Sequence, residues 1–375
     1  ISSHGSNYIQ EEVLRLLIER GAKHAQAGEF TLRAFLNKKM DLSQAEAVAD
    51  LIASESRAAH EIALNQMRDG YTQEISLLRK KLLNFASLIT LELDFTEEDV
   101  AFADRTALDK LLQEIQSKIK SLLNSFQYGN VIKNGVPVAI IGKPNAGKSS
   151  LLNLLLNEDR AIVSDIPGTT RDTIEDTLTL SGIQFRFIDT AGLRETSDQI
   201  EAVGVAKAKE KIHQAKVIIY LFDPSDTSLH EIIDAIDEFK REGLIIILVE
   251  NKIDLIKGNE LSALSKKLIR SANEITYDDL CRISTLDTDT LIQLKNSLLE
   301  KVNSISKQGD VVISNTRHFE ALQNTLKAIL NIRSGLESEL SGDLLSVDIN
   351  EATKFLGEIS GEITNDELLG NIFSK

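Results

Sequence analysis

One cysteine, Cys281, is too few for an internal disulfide. A reducing, cytoplasmic setting is expected, with that thiol serving as a small core residue. No apolar run approaches the roughly 20 residues that cross a bilayer. The longest, such as Leu244 to Val249, are strand-sized. The opening Ile1-Ser2-Ser3-His4-Gly5 lacks a basic patch followed by an apolar stretch, so no secretory leader is expected there. Positive charge is scarce. Forty-two Lys and Arg face 57 Asp and Glu, a net charge of −15, and no Lys/Arg-rich block appears. If RNA is handled, most phosphate contacts are expected to come from elsewhere than this chain; the acidity also favours solubility.

Proline is equally sparse, and its placement is informative. All four prolines (Pro137, Pro144, Pro167 and Pro224) lie in one stretch, which leaves both flanks free to form long helices. Apolar residues there recur at three- and four-residue steps: Ile75, Leu78, Leu82, Phe85 and Ile89; Leu108, Leu112, Ile115, Ile119, Leu122 and Phe126; Phe319, Leu322, Leu326 and Ile329. That spacing puts one apolar stripe on one helix face, as in a bundle. Thr96 and Asp99 have the spacing of a capping box opening the second helix, and Glu97 and Glu98 suit its N-terminus. Ile9 to Gly21 reads as a helix ended by glycine, whereas Gly28 to Phe35 is too short to assign by pattern.

The middle of the chain alternates short apolar runs (Val136–Ile141, Phe185–Ile188, Val217–Phe222, Leu244–Val249) with amphipathic segments. Such runs suit buried parallel strands and predict an α/β, doubly wound, mostly parallel sheet. With 375 residues there is room for two or three domains. The expected fold is thus a multidomain α and α/β chain, an α/β domain over residues 134–304 inserted into a helical bundle formed by 41–133 and 305–375.

The chemistry is concentrated at the ends of these predicted strands. Gly142-Lys143-Pro144-Asn145-Ala146-Gly147-Lys148-Ser149, with Ser150 opening the next helix, fits the phosphate-loop pattern. Glycines let backbone amides turn toward phosphate oxygens, and a helix N-terminus adds a favourable field. Lys148 is placed to neutralise the β- and γ-phosphates, and the Ser149 hydroxyl to bind Mg²⁺. Asp189-Thr190-Ala191-Gly192 follows the next run, with an aspartate placed to hold Mg²⁺ through water and Gly192 placed to bring its amide to the γ-phosphate. Asn251-Lys252-Ile253-Asp254 follows another. Its carboxylate can accept hydrogen bonds from guanine N1 and N2, a donor pair adenine lacks, so GTP is expected as the nucleotide. Ser284-Thr285 occupies the place of the last guanine loop, departing from the usual Ser-Ala. Within Pro167-Gly168-Thr169-Thr170-Arg171-Asp172, Thr170 is assigned to complete the Mg²⁺ shell, and Arg171 joins Lys148 as a catalytic candidate. Leu193 stands where many GTPases carry a water-orienting glutamine, so another polar group must serve.

Across essentially its whole length the sequence resembles the MnmE (TrmE) family, GTPases of tRNA wobble-uridine modification. The specific marks are Gly28-Glu29-Phe30-Thr31-Leu32-Arg33-Ala34-Phe35-Leu36-Asn37, Asp41-Leu42-Ser43-Gln44-Ala45-Glu46-Ala47, Pro144 to Ser150 and Gly168 to Asp172. The resemblance implies a homodimer that pairs with the FAD-containing GidA (MnmG) protein in a heterotetramer. The complex would act on tRNA, adding an aminomethyl or carboxymethylaminomethyl group to C5 of the wobble uridine. The carbon would come from a folate (5-formyl- or methylene-tetrahydrofolate), and no membrane would be involved. It implies potassium-promoted pairing of G domains, with Asn145, Ser164, Ile166 and Thr169 around the K⁺. It also implies Glu201 as the catalytic, water-orienting glutamate and Lys39 as a folate-linked residue. Residues 1–40 would be the last portion of an N-terminal folate-binding and dimerisation domain, and the family's short cysteine-bearing tail would lie beyond the position of Lys375. Two rival readings are a ribosome-assembly GTPase, which should carry a basic RNA module, and a dynamin-like membrane GTPase, which should carry a membrane-binding tip; neither feature is evident in the sequence.

If Asp254 reads guanine, Asp254→Asn should weaken GTP binding and strengthen binding of xanthosine triphosphate, whose donor pattern matches the swapped side chain. Equal affinity of the parent protein for ATP and GTP would overturn this assignment.

Overall fold

The computed structural model describes residues 5–68, 70–94, 104–159, 176–188, 212–241, 243–256, 261–271, 280–305, 312–338 and 340–362. In chain order its principal elements are α1 (Asn7–Glu19), α2 (Glu29–Leu36), α3 (Leu42–Ala53), α4 (Arg57–Met67), α5 (Thr72–Asp94), α6 (Arg105–Asn134), β1 (Val136–Ile141), α7 (Lys148–Asp159), β2 (Asp176–Leu180) and β3 (Ile183–Phe187). They continue with β4 (Val217–Phe222), α8 (Leu229–Phe239), β5 (Ile245–Glu250), α9 (Ala263–Ser271), β6 (Leu280–Arg282), α10 (Leu291–Ile305), α11 (Thr316–Glu337) and α12 (Gly342–Ser360). Contacts divide the chain into two units: Ile1–Ala53, Ala63–Ser117 and Glu320–Lys375 form one, Ser54–Ile62 and Lys118–Phe319 the other.

In the first unit α12 packs on α5 and α3. The predicted stripe of α5 is buried through Ile75, Leu78, Leu82 and Ile89, and α12 faces inward with Leu345, Ile349, Leu356 and Ile359. Arg79 of α5 ties the two helices by donating from Nε to the Thr353 carbonyl at 2.9 Å. The start of α3 explains the Asp41-Leu42-Ser43-Gln44 run. The Asp41 carboxylate accepts from the Gln44 amide at 2.7 Å, and the Gln44 side-chain carbonyl accepts from the Asp41 amide at 2.9 Å. Two otherwise orphaned helix-start donors are thereby satisfied reciprocally. α2, the segment too short to assign from pattern, ends in a Schellman turn. Lys38 takes φ 55°, and the amides of Lys38 and Lys39 return to the carbonyls of Phe35 and Ala34. The cap of α6 is Asp104, whose carboxylate accepts from the Thr106 and Ala107 amides at 2.9 and 3.2 Å. The predicted Thr96–Asp99 box lies outside the described residues.

The second unit is built on a six-stranded sheet in the order β2-β3-β1-β4-β5-β6. β1, β3, β4, β5 and β6 run parallel and β2 pairs antiparallel with β3. The predicted runs Val136–Ile141 and Val217–Phe222 match β1 and β4. The run Leu244–Val249 is displaced by one residue, since β5 extends to Glu250. β4 is buried along its whole length, as expected of a central parallel strand with both faces covered. Leu151, Leu155, Phe185, Ile219, Val249, Leu294 and Leu298 belong to one continuous core around the sheet. β2 and β3 lie on one side of β1, and β4 on the other. The carboxyl ends of β1 and β4 therefore flank the topological switch point, where α/β sheets of this kind bind ligands.

α8 starts beside that point with a capping box: the Ser228 hydroxyl accepts from the Glu231 amide, and the Glu231 carboxylate accepts from the Ser228 amide at 2.8 Å. The same carboxylate pairs with Lys143 Nζ at 2.9 Å. The Lys143 ammonium, followed by the Ser228 donors, holds the Glu231 carboxyl down to about 2, while Glu231 raises Lys143. A carboxyl whose folded pKa is depressed contributes stability above its ordinary pKa and loses it as the pH falls through the folded value. Glu231→Gln should therefore lower the melting temperature at neutral pH, with the gap to the parent closing between pH 4.5 and about 2. Melts as a function of pH check this; a gap that stays constant across that range would show that the carboxylate is not the stabilising group.

Candidate functional site

The loop between β1 and α7 follows the phosphate-loop pattern and also shows the backbone that pattern requires. Gly142, Asn145 and Gly147 have φ of 151°, 63° and 101°. A Cβ on Gly142 would lie 2.1 Å from the Leu221 carbonyl oxygen of β4, and one on Gly147 would lie 2.3 Å from Nδ2 of Asn251. Only glycine fits these two positions, because the loop is pressed against the end of β4 and against the segment after β5. Ala146 is buried beneath the loop, while Pro144 and Asn145 are exposed at its crest. α7 opens with Lys148, Ser149 and Ser150 in its first turn, so its free amides face the loop. Lys148 Nζ donates to the carbonyls of Gly142 and Lys143 at 2.8 and 2.7 Å, and burial lowers its pKa. The glycine-bounded concavity, helix amides and loop lysine are together a chemical fit for an anionic phosphate chain.

Asn251, Asp254, Ser284 and Thr285, the residues expected on the guanine side, lie close together. Asn251 is fully buried, and its side chain is a tie-bar: Nδ2 donates to the Ala146 carbonyl at 2.7 Å, and Oδ1 accepts from the Thr285 amide at 3.3 Å. It thus joins the phosphate loop to the last guanine loop. Lys252 takes φ 59°, and its Nζ lies 2.7 Å from Asp223 Oδ2 at the end of β4. Burial alone would raise the Asp223 carboxyl, but the hydrogen bonds from Lys252 and Ser225 outweigh it and hold the group below the usual carboxylate range. Asp254 sits exposed in a short 3₁₀ turn, Ile253–Leu255. Its Oδ1 accepts from the Ser284 hydroxyl at 2.5 Å, and the Ser284 amide donates to Thr290 Oγ1 at 3.0 Å. One Asp254 oxygen is thereby oriented by the last guanine loop, and Thr285 enters through its backbone amide. That is a role a Thr can fill as readily as the usual Ala.

Three supporting residues were not assigned from the sequence: Lys143, Asp223 and Glu231. The Ser228-x-x-Glu231 spacing was a legible capping signal, and Asp223 directly follows an apolar run. The pairing of both acids with loop lysines is tertiary and carried no such signal. Several assigned residues lie outside the described residues: Ser164, Ile166, Thr169, Thr170, Arg171, Asp189, Thr190, Ala191, Gly192, Leu193 and Glu201. Lys39 is described, in the turn that ends α2. Among the described residues no cluster of three or more His, Cys, Asp or Glu could hold a metal, and no helix is long and apolar enough to cross a membrane. Cys281 is buried, as expected.

Comparison with known proteins agrees with this assembly. Residues 42–375 match the model of the MnmE helical domain, and residues 1–39 match that of the GTP-binding protein TrmE N-terminus. The chain is 52% identical over 379 residues to the tRNA modification GTPase MnmE of Flavobacterium johnsoniae, and 53% identical over 376 residues to that of Cytophaga hutchinsonii. A 52% identity over 379 residues holds for the protein of the same name from Bacteroides thetaiotaomicron. Each match covers 100% of this chain and 80% of the relative. With a loop of the phosphate-binding pattern at the switch point of an α/β sheet, and matches of this length and identity, the chain belongs to the MnmE (TrmE) family.

Proposed function

We propose that this protein hydrolyses GTP in the service of tRNA wobble-uridine modification. The observation that carries the reading is identity of 52–53% along the whole chain to relatives named tRNA modification GTPase MnmE. The guanine-reading geometry around Asp254 supports it. GTP would lie with its phosphates over the amides of α7 and against Lys148, and its base against Asp254. Mg²⁺ would be held by the Ser149 hydroxyl together with Thr170, and it would supply charge neutralisation at the β- and γ-phosphates. Lys148 must release the two loop carbonyls to reach a phosphate oxygen, exchanging neutral acceptors for an anion.

Leu193 cannot orient water, and by similarity to the family we assign that task to Glu201, with Lys148 and Arg171 as the other catalytic candidates. K⁺ would be bound by Asn145 with Ser164, Ile166 and Thr169, placing a positive charge where an arginine finger would otherwise act and favouring pairing of two G domains. Exposure of Asn145 at the crest of its loop supports this, because a ligand must be within reach of an arriving cation. The wider assembly in this reading is a homodimer joined to the FAD-containing GidA (MnmG) protein and tRNA in the cytoplasm, with a folate bound near Lys39 as the carbon source. The domain limits 1–40, 41–133, 134–304 and 305–375 are part of the same reading.

Hydrolysis should be several-fold faster in KCl than in NaCl at matched ionic strength. Glu201→Ala should cut turnover by about 10²–10⁴-fold with little change in nucleotide affinity, the signature of a group acting in the transition state. Equal rates in the two salts would remove K⁺ from the mechanism, and near-normal turnover of Glu201→Ala would leave water positioning to another group. Nucleoside analysis of tRNA from cells lacking the protein tests the function itself: wobble uridines should lose their C5 substituent, and intact modification would refute the proposal.

A further inference from the structure

The chemistry at the root of the guanine loops goes beyond the residues that face a base. Glu250 is the last residue of β5, immediately before Asn251, and is fully buried. Arg282 is its register partner and the last residue of β6, two residues before Ser284. Arg282 Nε donates to Glu250 Oε2 at 2.9 Å. The backbone repeats the link: the Ile283 amide donates to the Glu250 carbonyl at 2.8 Å, and the Ile253 amide to the Ile283 carbonyl at 3.3 Å. On its other side, the Arg282 amide donates to Gln293 Oε1 of α10 at 3.2 Å. The ion pair therefore locks together the bases of the two loops that carry Asp254 and Ser284.

As a stabilising device the pair is poor. A buried ion pair barely recovers the desolvation of its two charges, and an apolar pair of the same volume is commonly as stable or more so. Here Glu250 Oε1 is also buried without a hydrogen-bond partner, an additional cost. β6 has only three residues, so backbone pairing alone fixes its position along β5 weakly. A directional Arg–carboxylate contact sets the spacing of the two loops in a way that an apolar contact cannot. From this geometry we infer that Glu250 and Arg282 are positioning residues for base recognition: they hold Ser284 at the distance from which its hydroxyl orients the Asp254 carboxylate toward the guanine 2-amino group. The inference rests on Asp254 reading guanine.

The probes are GDP and inosine diphosphate, which differ only in the 2-amino group, with dissociation constants measured on the full chain. The parent protein should prefer GDP. In Glu250→Gln that preference should fall roughly tenfold, while affinity for inosine diphosphate, carried by the phosphate loop, changes less than about threefold. The double variant Glu250→Leu/Arg282→Met removes both charges together and guards against misfolding of the single one. It should keep or raise the parent melting temperature and still lose base discrimination. Parent-like preference in either folded variant, or equal weakening of both nucleotides, would make the pair merely structural and overturn the inference. A parent protein with no preference for GDP over inosine diphosphate would instead overturn the guanine reading itself, and the role of the pair with it.

Discussion

The nucleotide site depends on the buried amide of Asn251. It bonds both the carbonyl of Ala146 and the amide of Thr285, joining two loops that are distant in sequence. Both loops consist of backbone that has left regular structure, and each would otherwise bury an unsatisfied polar group. A primary amide offers a donor on one arm and an acceptor on the other in a neutral group, so its burial carries no charge penalty. Gly147 is constrained by the same contact, since anything larger would displace Nδ2 of Asn251. The glycine of one motif and the asparagine of another are thus a single packing requirement.

Around this tie-bar, charge is placed in layers. Lys143 and Lys252 are each held by a carboxylate, Glu231 and Asp223, whose charged forms are favoured by the contact. Lys148, in contrast, is held only by neutral carbonyls, among the hydrogen bonds described for it, and burial disfavours its charge. Of the three lysines near the loop, Lys148 is the one with electrostatic free energy to gain from an arriving polyanion. The flanking pairs are already neutralised and serve as scaffold.

The helices were legible because each long stripe repeats near 3.6 residues and is buried on a single face, as with Ile75, Leu82 and Ile89. β1, β4 and β5 were legible as largely apolar runs, whereas β3 alternates, with Gln184 and Arg186 between its buried residues, and only its second half was read. β2 was not, because it is an edge strand with only Leu178 fully buried, and β6 was not, because three residues carry no periodicity. The cap of α6 at Asp104 was not read, because a lone Asp accepting from the next backbone amides leaves a weaker trace in sequence than a reciprocal box. In the site, residues with a fixed backbone or chemical task could be read directly: Gly142, Gly147, Lys148, Asp254. Those that act through another residue, such as Asp223, Glu231 and Glu250, needed the fold to bring their partners near.

The uniqueness of Cys281 in the sequence has a practical side. The chain has one thiol, and it lies buried in β6, the three-residue strand whose end leads into the last guanine loop. A buried thiol reacts only when its surroundings open, so its alkylation rate reports every opening, local or global, that uncovers that strand. The protein thus contains a built-in reporter for openings that reach the β6 edge of its sheet, readable by mass spectrometry without introducing a label.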